Sequence, residues 1–219
     1  MRRSALFALV VTLFAGLGSL AASPAEAQLS RGNLRLSIDA DMFSVAGVRV
    51  GNGKETVVGF GPNQLGGTRI SGAPAAGPTP VGFGVGYVLR PKILLGVRLG
   101  LGYDVVAPDG PGNNTRYLGL SIMPEFRYVP LGERAKLFLA AAPIFQVSRA
   151  RTDPRTDHTI LGGFSLGVGT FIFVTNALSV DLGFHFEGRF GGRHQDNDNV
   201  STDVKDLRGV IRLGLSLWT

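Results

Sequence analysis

The sequence predicts an all-β fold, an eight-stranded antiparallel up-and-down transmembrane β-barrel, and three observations lead to this prediction. Apolar residues recur at every second position along most of the chain, as they do in strands with two different faces. The connections between these segments are alternately short and long. A secretory leader is followed by no second long apolar run, although the mean hydropathy of the whole chain is positive.

Residues 1–27 are predicted to be a secretory signal peptide. Arg2 and Arg3 precede the apolar run ALFALVVTLFAGLGSL, and an A-x-A cleavage pattern ends at Ala27. We therefore expect cleavage after Ala27 and a single outer-membrane β-barrel domain over residues 28–219. The apolar run is short for a helix that spans a bilayer, which makes a retained membrane anchor the less favoured alternative.

Eight segments carry the strand pattern. In ALSVDLGFHFEGRF, the clearest of them, Leu182 and Phe184 point to one face while Asp181, His185 and Glu187 point to the other. Most segments are long enough for the ~9–11 tilted residues with which a strand crosses a bilayer. KLFLAAAPIFQVS is the least regular segment, because it has apolar residues on both faces. In chain order the predicted strands are residues 34–43, 81–90, 93–105, 116–128, 136–148, 159–174, 177–190 and 206–218.

The connections add the direction of the strands. Short turns at one end and long loops at the other are typical of outer-membrane barrels, and an even number of strands places both termini on the short-turn side. Within the first long connection, Asn52-Gly53 is a turn signal that predicts a small hairpin over residues 48–58, as an extension beyond the membrane. The predicted long connections are residues 44–80, 106–114, 149–158 and 191–205.

The second face of the strands carries charges and glycines, and we assign it to the barrel interior. Glycines make room in a narrow interior but are weak choices on a solvated surface. Arginines and acids are equally frequent on this face, which indicates ion pairs, and aromatic residues near strand ends lie on the apolar face, as membrane girdles do. The predicted interior charge network, with a structural role, consists of Arg35, Asp39, Asp41, Arg98, Asp104, Glu125, Arg127, Asp181, His185, Glu187, Arg189, Arg208 and Arg212.

Two motifs resemble catalytic ones, and neither has the context that catalysis needs. GGFSLGVG contains G-x-S-x-G around Ser165, but a nucleophile elbow requires a strand-to-helix turn, and this motif lies inside a predicted strand. His185 shares a face with Asp181 and Glu187, but same-face neighbours two apart on a strand are ~7 Å apart, which is too far for one direct hydrogen bond. We therefore predict an interior serine, a paired interior histidine and no enzyme.

No cofactor, metal or nucleic-acid partner is predicted. The chain has 22 basic and 16 acidic residues, but these are dispersed and form no basic run. There is no phosphate-binding loop and no dinucleotide fingerprint. HQDNDNVSTD superficially resembles a calcium loop, but counted from Asp196, Ser201 replaces the glycine at the sixth position and Leu207 replaces the acid at the twelfth.

With these features together, the chain resembles the small eight-stranded outer-membrane barrels of Gram-negative bacteria, the OmpA/OmpX-like β-barrel domains. The resemblance spans residues 34–218 and lies in the strand count, the alternation of the loops and the final strand VIRLGLSLWT. It implies a location in the outer membrane, contact with outer-membrane lipid and recognition of the last strand by the barrel assembly machinery. The family's last strand usually ends in an aromatic residue, whereas Trp218 is followed here by Thr219.

The predicted function is a structural, adhesive or interaction role, with an extracellular partner bound through loops 44–80 and 191–205. An eight-stranded interior is only wide enough to be filled by side chains, so a wide pore is not expected, while a narrow conduit stays open. One alternative is a lipid-modifying enzyme similar to the lipid A deacylases, although no histidine has a serine two residues on. The other is a soluble periplasmic lipid binder similar to the lipocalins.

Overall fold

The structure is a computed structural model of the chain, and it describes residues 29–60, 81–106, 114–131, 135–152, 155–195 and 200–219. The predicted signal peptide and its cleavage site lie outside the described residues. Within the described ranges, no helix is long and apolar enough to cross a membrane.

The described chain forms one antiparallel sheet that closes on itself. Each ring strand pairs with its neighbour in sequence, and the first ring strand also pairs with the last, which confirms the predicted closed ring of eight strands. A ninth strand pairs beside the first. The strands are β1 (Leu34–Val50), β2 (Gly53–Phe60), β3 (Val81–Arg90), β4 (Ile93–Val106), β5 (Thr115–Leu131), β6 (Ala135–Thr152), β7 (Arg155–Phe173), β8 (Leu178–Gln195) and β9 (Val200–Trp218).

The ninth strand, β2, forms the predicted hairpin with β1. Its register places Val50 opposite Gly53, so the turn consists of Gly51 and Asn52. The predicted turn at Asn52-Gly53 is therefore wrong by one residue. The reason is that Gly51 adopts a positive φ of 56°, which glycine accepts without a steric penalty. Strand β3 pairs with β1 only up to Asp39. Beyond that point, β2 takes the position next to β1.

Several strands are longer than the alternation predicted, and the predicted long connections are to that extent wrong. Strand β1 continues through residues 44–50, and paired strand replaces most of the predicted connections 149–158 and 191–205. These extensions are strands although their residues are polar, because the backbone of each strand is hydrogen-bonded to its neighbour. Examples are the pairs of Arg149 with His158 and of His194 with Ser201. Residues 61–80, the remainder of the first connection, lie outside the described residues.

A β-bulge in β1 keeps the correct side chains inside. The register shifts between Asp41 and Phe43 against β9, with Met42 as the extra residue. Before the bulge the buried positions are odd-numbered, and after it they are even-numbered, as at Asp41 and Ser44. An extra residue in one strand re-aims the side chains that follow it. The bulge therefore allows one 17-residue strand to face the interior along its whole length.

The burial of the side chains decides which face of the alternation is inside. Tyr103 is 62% exposed and Val85 is 58% exposed, whereas Arg98 and Arg212 are only 4% and 5% exposed. A water-soluble protein would bury the apolar side chains instead. The predicted girdle aromatics are also on the outer wall: Tyr87, Tyr103, Phe126, Tyr128 and Phe186.

The irregular pattern of strand β6 arises because some of its inward residues are apolar. Its inward apolar residues fill two places in the interior: Phe138 and Ala140 join an aromatic cluster at the end of the barrel where the chain termini lie, and Ala142 and Ile144 pack with Met123. The aromatic cluster includes Phe171 and Trp218, whose rings meet edge to face at 5.3 Å. We call this cluster the aromatic floor. It is built from Leu29, Val88, Leu94, Val129, Phe138, Ala140, Phe171 and Trp218, with Phe173 packed against it.

Candidate functional site

The predicted charge network lies in the interior, above the aromatic floor. Alternate residues of β1, β4, β5, β8 and β9 point inward, so side chains that are distant in sequence meet across the ring. Nearly all the predicted residues are buried there, and the carboxylate of Glu125 is 9% exposed. The side chain of Asp104 lies outside what the structure describes.

Arg212 is the centre of the network. Its Nε donates to Asp41 Oδ1 at 2.7 Å, and its Nη2 donates to Glu187 Oε1 at 2.9 Å. Asp41 is also the direct register partner of Arg212 across β1 and β9, the seam that closes the ring. A further carboxylate, Asp39, lies 3.7 Å from the Arg212 Nε and accepts a 2.7 Å hydrogen bond from Arg98 Nε. One guanidinium thus links β9 to both β1 and β8.

A second group of ion pairs lies on the aromatic floor. Arg35 Nη2 donates to Asp181 Oδ2 at 2.6 Å, and Arg127 Nε lies 2.8 Å from Glu125 Oε2. The guanidinium of Arg127 also stands over the ring of Phe138, 4.5 Å from its centroid. Cation–π contact of this kind is stronger where water is excluded. The floor therefore supports the charges as well as closing the barrel end.

A third group lies toward the loop end. Arg189 pairs with Glu187 and donates from Nη1 to Gln146 Oε1 at 2.7 Å, and Arg208 pairs with Asp206. Asp206 and Gln146 are buried network members that the sequence reasoning missed. The signal was present for Asp206, because it lies two residues before Arg208 and thus on the same face of β9.

Ser165 and His185 are in contact inside the barrel wall. Ser165 Oγ lies 3.4 Å from His185 Nδ1, and the two residues are 3% and 2% exposed. Strand β7 continues past the serine to Phe173, so the G-x-S-x-G motif has no strand-to-helix turn. Glycine at 167 has a packing role, since a Cβ there would lie 2.5 Å from His185 Nδ1. The carboxylate of Glu187 pairs with Arg189 and Arg212. Ser165 and His185 therefore form a polar contact without the acid of a hydrolase triad.

A small cavity of about 10 Å³, room for about one water molecule, lies among the charged side chains of Arg35, Asp39, Asp181, His185 and Arg212. No cluster of three or more metal-ligating side chains occurs among the described residues. The arrangement is therefore suited to holding the wall together through buried ion pairs. A buried pair that loses one partner leaves an uncompensated charge, and this loss is strongly destabilising.

No family model and no curated protein matches the chain. Among solved structures, the outer membrane protein OprG from Pseudomonas aeruginosa is 8% identical, with 89% of this chain and 99% of that chain covered and a TM-score of 0.50. Neisserial surface protein A is 12% identical over 85% and 99% of the two chains, with a TM-score of 0.49. Ail, the attachment invasion locus protein of Yersinia pestis, is 12% identical over 86% and 99%, with a TM-score of 0.45.

At such low identity the likeness concerns the fold alone, and it agrees with the strand order, the ring closure and the inside-out burial described above. The sequence-based resemblance is confirmed at this level: the chain has the fold of the small eight-stranded OmpA/OmpX-like outer-membrane β-barrels.

Proposed function

We propose that this protein is an integral barrel of the outer membrane whose role is structural or adhesive, exercised through its loop end. The observation that carries the proposal is the inside-out wall, in which large apolar side chains are exposed on every strand of the ring while arginines and acids are buried. Monomeric soluble proteins rarely expose contiguous apolar surface beyond a few hundred Å². In a lipid bilayer these apolar side chains would contact lipid instead of water. A closed ring also satisfies the backbone hydrogen bonds of its strands there.

The ion pairs and aromatic side chains inside the barrel support a surface role in preference to transport. Ion pairs occupy the middle of the barrel, and the aromatic floor closes the end that holds the termini. The opposite end carries the β1–β2 hairpin and the extensions of β8 and β9. These segments lie within the predicted connections 44–80 and 191–205. A partner outside the cell would meet these extensions first, so we assign the interaction role to them.

Neither alternative gains support from the geometry. A lipocalin-like carrier needs an apolar interior for its ligand, whereas this interior holds charged groups. A lipid-hydrolysing enzyme needs a nucleophile that lipid can reach, and Ser165 is buried in the wall. We therefore propose a protein without catalytic activity. Ser165→Ala in the folded barrel should leave any ester hydrolysis unchanged; a reproducible activity that this substitution abolishes would contradict the proposal.

Cell fractionation with gel electrophoresis of heated and unheated samples tests the location. We expect the protein in the outer-membrane fraction, released only by detergent, with an unheated band that runs differently from the boiled band because the folded barrel is compact. Release into the periplasmic fraction by osmotic shock would contradict the membrane proposal. An outer-membrane band that heating does not shift would contradict the closed barrel.

A further inference from the structure

A row of three basic side chains crosses the outer wall at the loop end. Arg49 of β1 is directly opposite Lys54 of β2 on one side and Lys205 of β9 on the other. All three residues are exposed, and Arg49 and Lys205 share the outward face with Val45 of β1 and Leu207 of β9. An exposed acid, Asp203, lies two residues from Lys205. We call Lys54, Arg49 and Lys205 the first basic row.

A second basic row lies on the opposite side of the ring. Arg116 of β5 is directly opposite Arg151 of β6, and Arg149 is the next outward residue of β6. These three arginines are also exposed. In the ring order, the β5–β6 pair is four strands away from the β9–β1 pair, so the two rows are diametrically opposed.

The first basic row is unfavourable unless an anion lies between its charges. Directly opposite side chains on antiparallel strands have their Cβ atoms about 4.5–5.5 Å apart, and like charges at this spacing destabilise the pairing. The interior arginines solve the problem with carboxylates, as Arg212 does with Asp41. Guanidinium and ammonium groups on the outer wall would gain the same relief from an external anion. Phosphate suits them because its oxygens can accept hydrogen bonds from several donors at once.

The height of the rows identifies the source of the anion. On β6 the exposed residues Phe145 and Val147 precede Arg149, and on β9 Lys205 is followed by the exposed Leu207. The charges therefore begin where the apolar band ends, which is the level of the lipid head groups for a barrel in a bilayer.

We infer that the first basic row binds the phosphate groups of anionic membrane lipids at the loop-side border of the barrel, and that Arg116 and Arg149 of the second row extend this surface. This inference rests on the proposed membrane location. It adds a ligand class, a lipid with a phosphate-bearing anionic head group, and a site on the outward face of the loop-side strand extensions, apart from the interior network.

Reconstitution of the purified full chain into vesicles tests the inference. The midpoint of heat unfolding is measured from the shift of the folded band to the boiled position, in phosphatidylcholine alone and after partial replacement by phosphatidic acid. We expect phosphatidic acid to raise the midpoint of the wild-type barrel by about 2–4 °C. The triple variant Arg49→Gln, Lys54→Gln, Lys205→Gln should lose most of this rise. In phosphatidylcholine alone it should melt above the wild type, because the repulsion is removed.

The matched control keeps the charges at the same positions. Arg49→Lys, Lys54→Arg, Lys205→Arg should retain the rise with phosphatidic acid, and Asp203→Asn should enlarge it. If the glutamine variant did not insert, the double variant Arg116→Gln, Arg149→Gln would carry the same test on the second row.

Two further additions separate phosphate lipid from other anions. An equal rise with the carboxylate lipid cholesteryl hemisuccinate would overturn the phosphate assignment, and an equal rise with inorganic phosphate in solution would overturn the lipid source. Equal rises for the wild-type and glutamine barrels would overturn the basic rows as the site. Failure of the wild-type chain to insert into any vesicle would instead contradict the proposed membrane location.

Discussion

At the scale of single residues, the interior is organised by guanidinium groups that each reach more than one partner. Arg212 contacts acids on two other strands, and Arg35 contacts Asp181 and, at 3.9 Å, Glu125. A planar guanidinium can donate in several directions from one place, which a lysine ammonium at the end of a flexible stem does less well. The barrel therefore depends on the identity of these residues as well as on their charge.

Arg212→Leu should be among the most destabilising single substitutions in the barrel. It leaves Asp41 and Glu187 without their shared partner, and a broken buried pair typically costs about 3–5 kcal/mol. The measurement is the midpoint of heat unfolding in detergent micelles. Lys92→Leu, at an exposed turn residue, serves as the control and should change the midpoint little. Equal effects of the two substitutions would mean that the interior charges are solvated.

Gly167→Ala should destabilise the barrel because the new methyl group would collide with His185. Overpacking of this kind typically costs about 1–3 kcal/mol. Gly162→Ala in the same strand is the control, since a Cβ there has nothing within 4 Å. The collision predicts that His185→Ala restores part of the loss in the double variant. An additive double variant would show that the imidazole is not what the methyl group meets.

At the scale of elements, two local devices in β1 set the shape of the loop end. The bulge at Met42 keeps the inward face inward beyond the middle of the strand, and the turn at Gly51 sends the chain back as β2. Both are backbone features of one strand, yet both depend on neighbours: the bulge exists only relative to β9, and Gly51 N donates to Asp203 O at 2.9 Å. The hairpin is thus tied to the last strand of the ring.

Gly51→Ala tests the turn. A residue with a Cβ is disfavoured at a φ of 56°, and the added methyl would also lie 3.2 Å from Thr202 Cγ2. We expect a loss of about 1–2 kcal/mol, read from faster proteolysis within the hairpin and a lower unfolding midpoint. Gly51→Asn is the comparison, because asparagine tolerates the left-handed region better than alanine. A hairpin that tolerates alanine and asparagine equally would not need the left-handed turn.

At the scale of the whole molecule, the two ends of the barrel differ. The termini and the turns after β3 and β7 lie at one end, and the β1–β2 hairpin and the loop-side strand extensions lie at the other. A transmembrane barrel with longer loops at one end carries them outside the cell. The direction of the proposed interaction surface follows from this arrangement.

The chain contains no cysteine, so single cysteines report this direction cleanly. Asn52→Cys at the hairpin turn should react with a membrane-impermeant maleimide on intact cells. Asn176→Cys at the turn before β8 should react only after the cells are permeabilised. The reverse pattern would contradict the assigned direction, and equal labelling of both sites on intact cells would contradict a chain that spans the membrane.

The degree to which the sequence predicted the strands depended on what surrounds each of them. Where a strand separates outward apolar from inward polar residues, as in β8, its alternation is sharp and its assignment was correct. The loop-side extensions were missed because both faces there are polar, as at Arg149 and His158, so no contrast marks a strand. The partners of Arg212 could not be predicted either, since alternation gives the face of a side chain but not the register between strands.

The sequence by itself determined the all-β class, the eight ring segments and the face on which most of the interior charges lie, because a period of two follows from the geometry of a single strand. Only the tertiary structure decided which arginine meets which acid, how far the loop-side strands extend, and where the outward lysines and arginines align into rows. These depend on ring closure and on the stagger of eight strands. The bulge at Met42 shows the physical reason, since one extra residue exchanges the faces of everything that follows it, and it is defined only against the neighbouring strand.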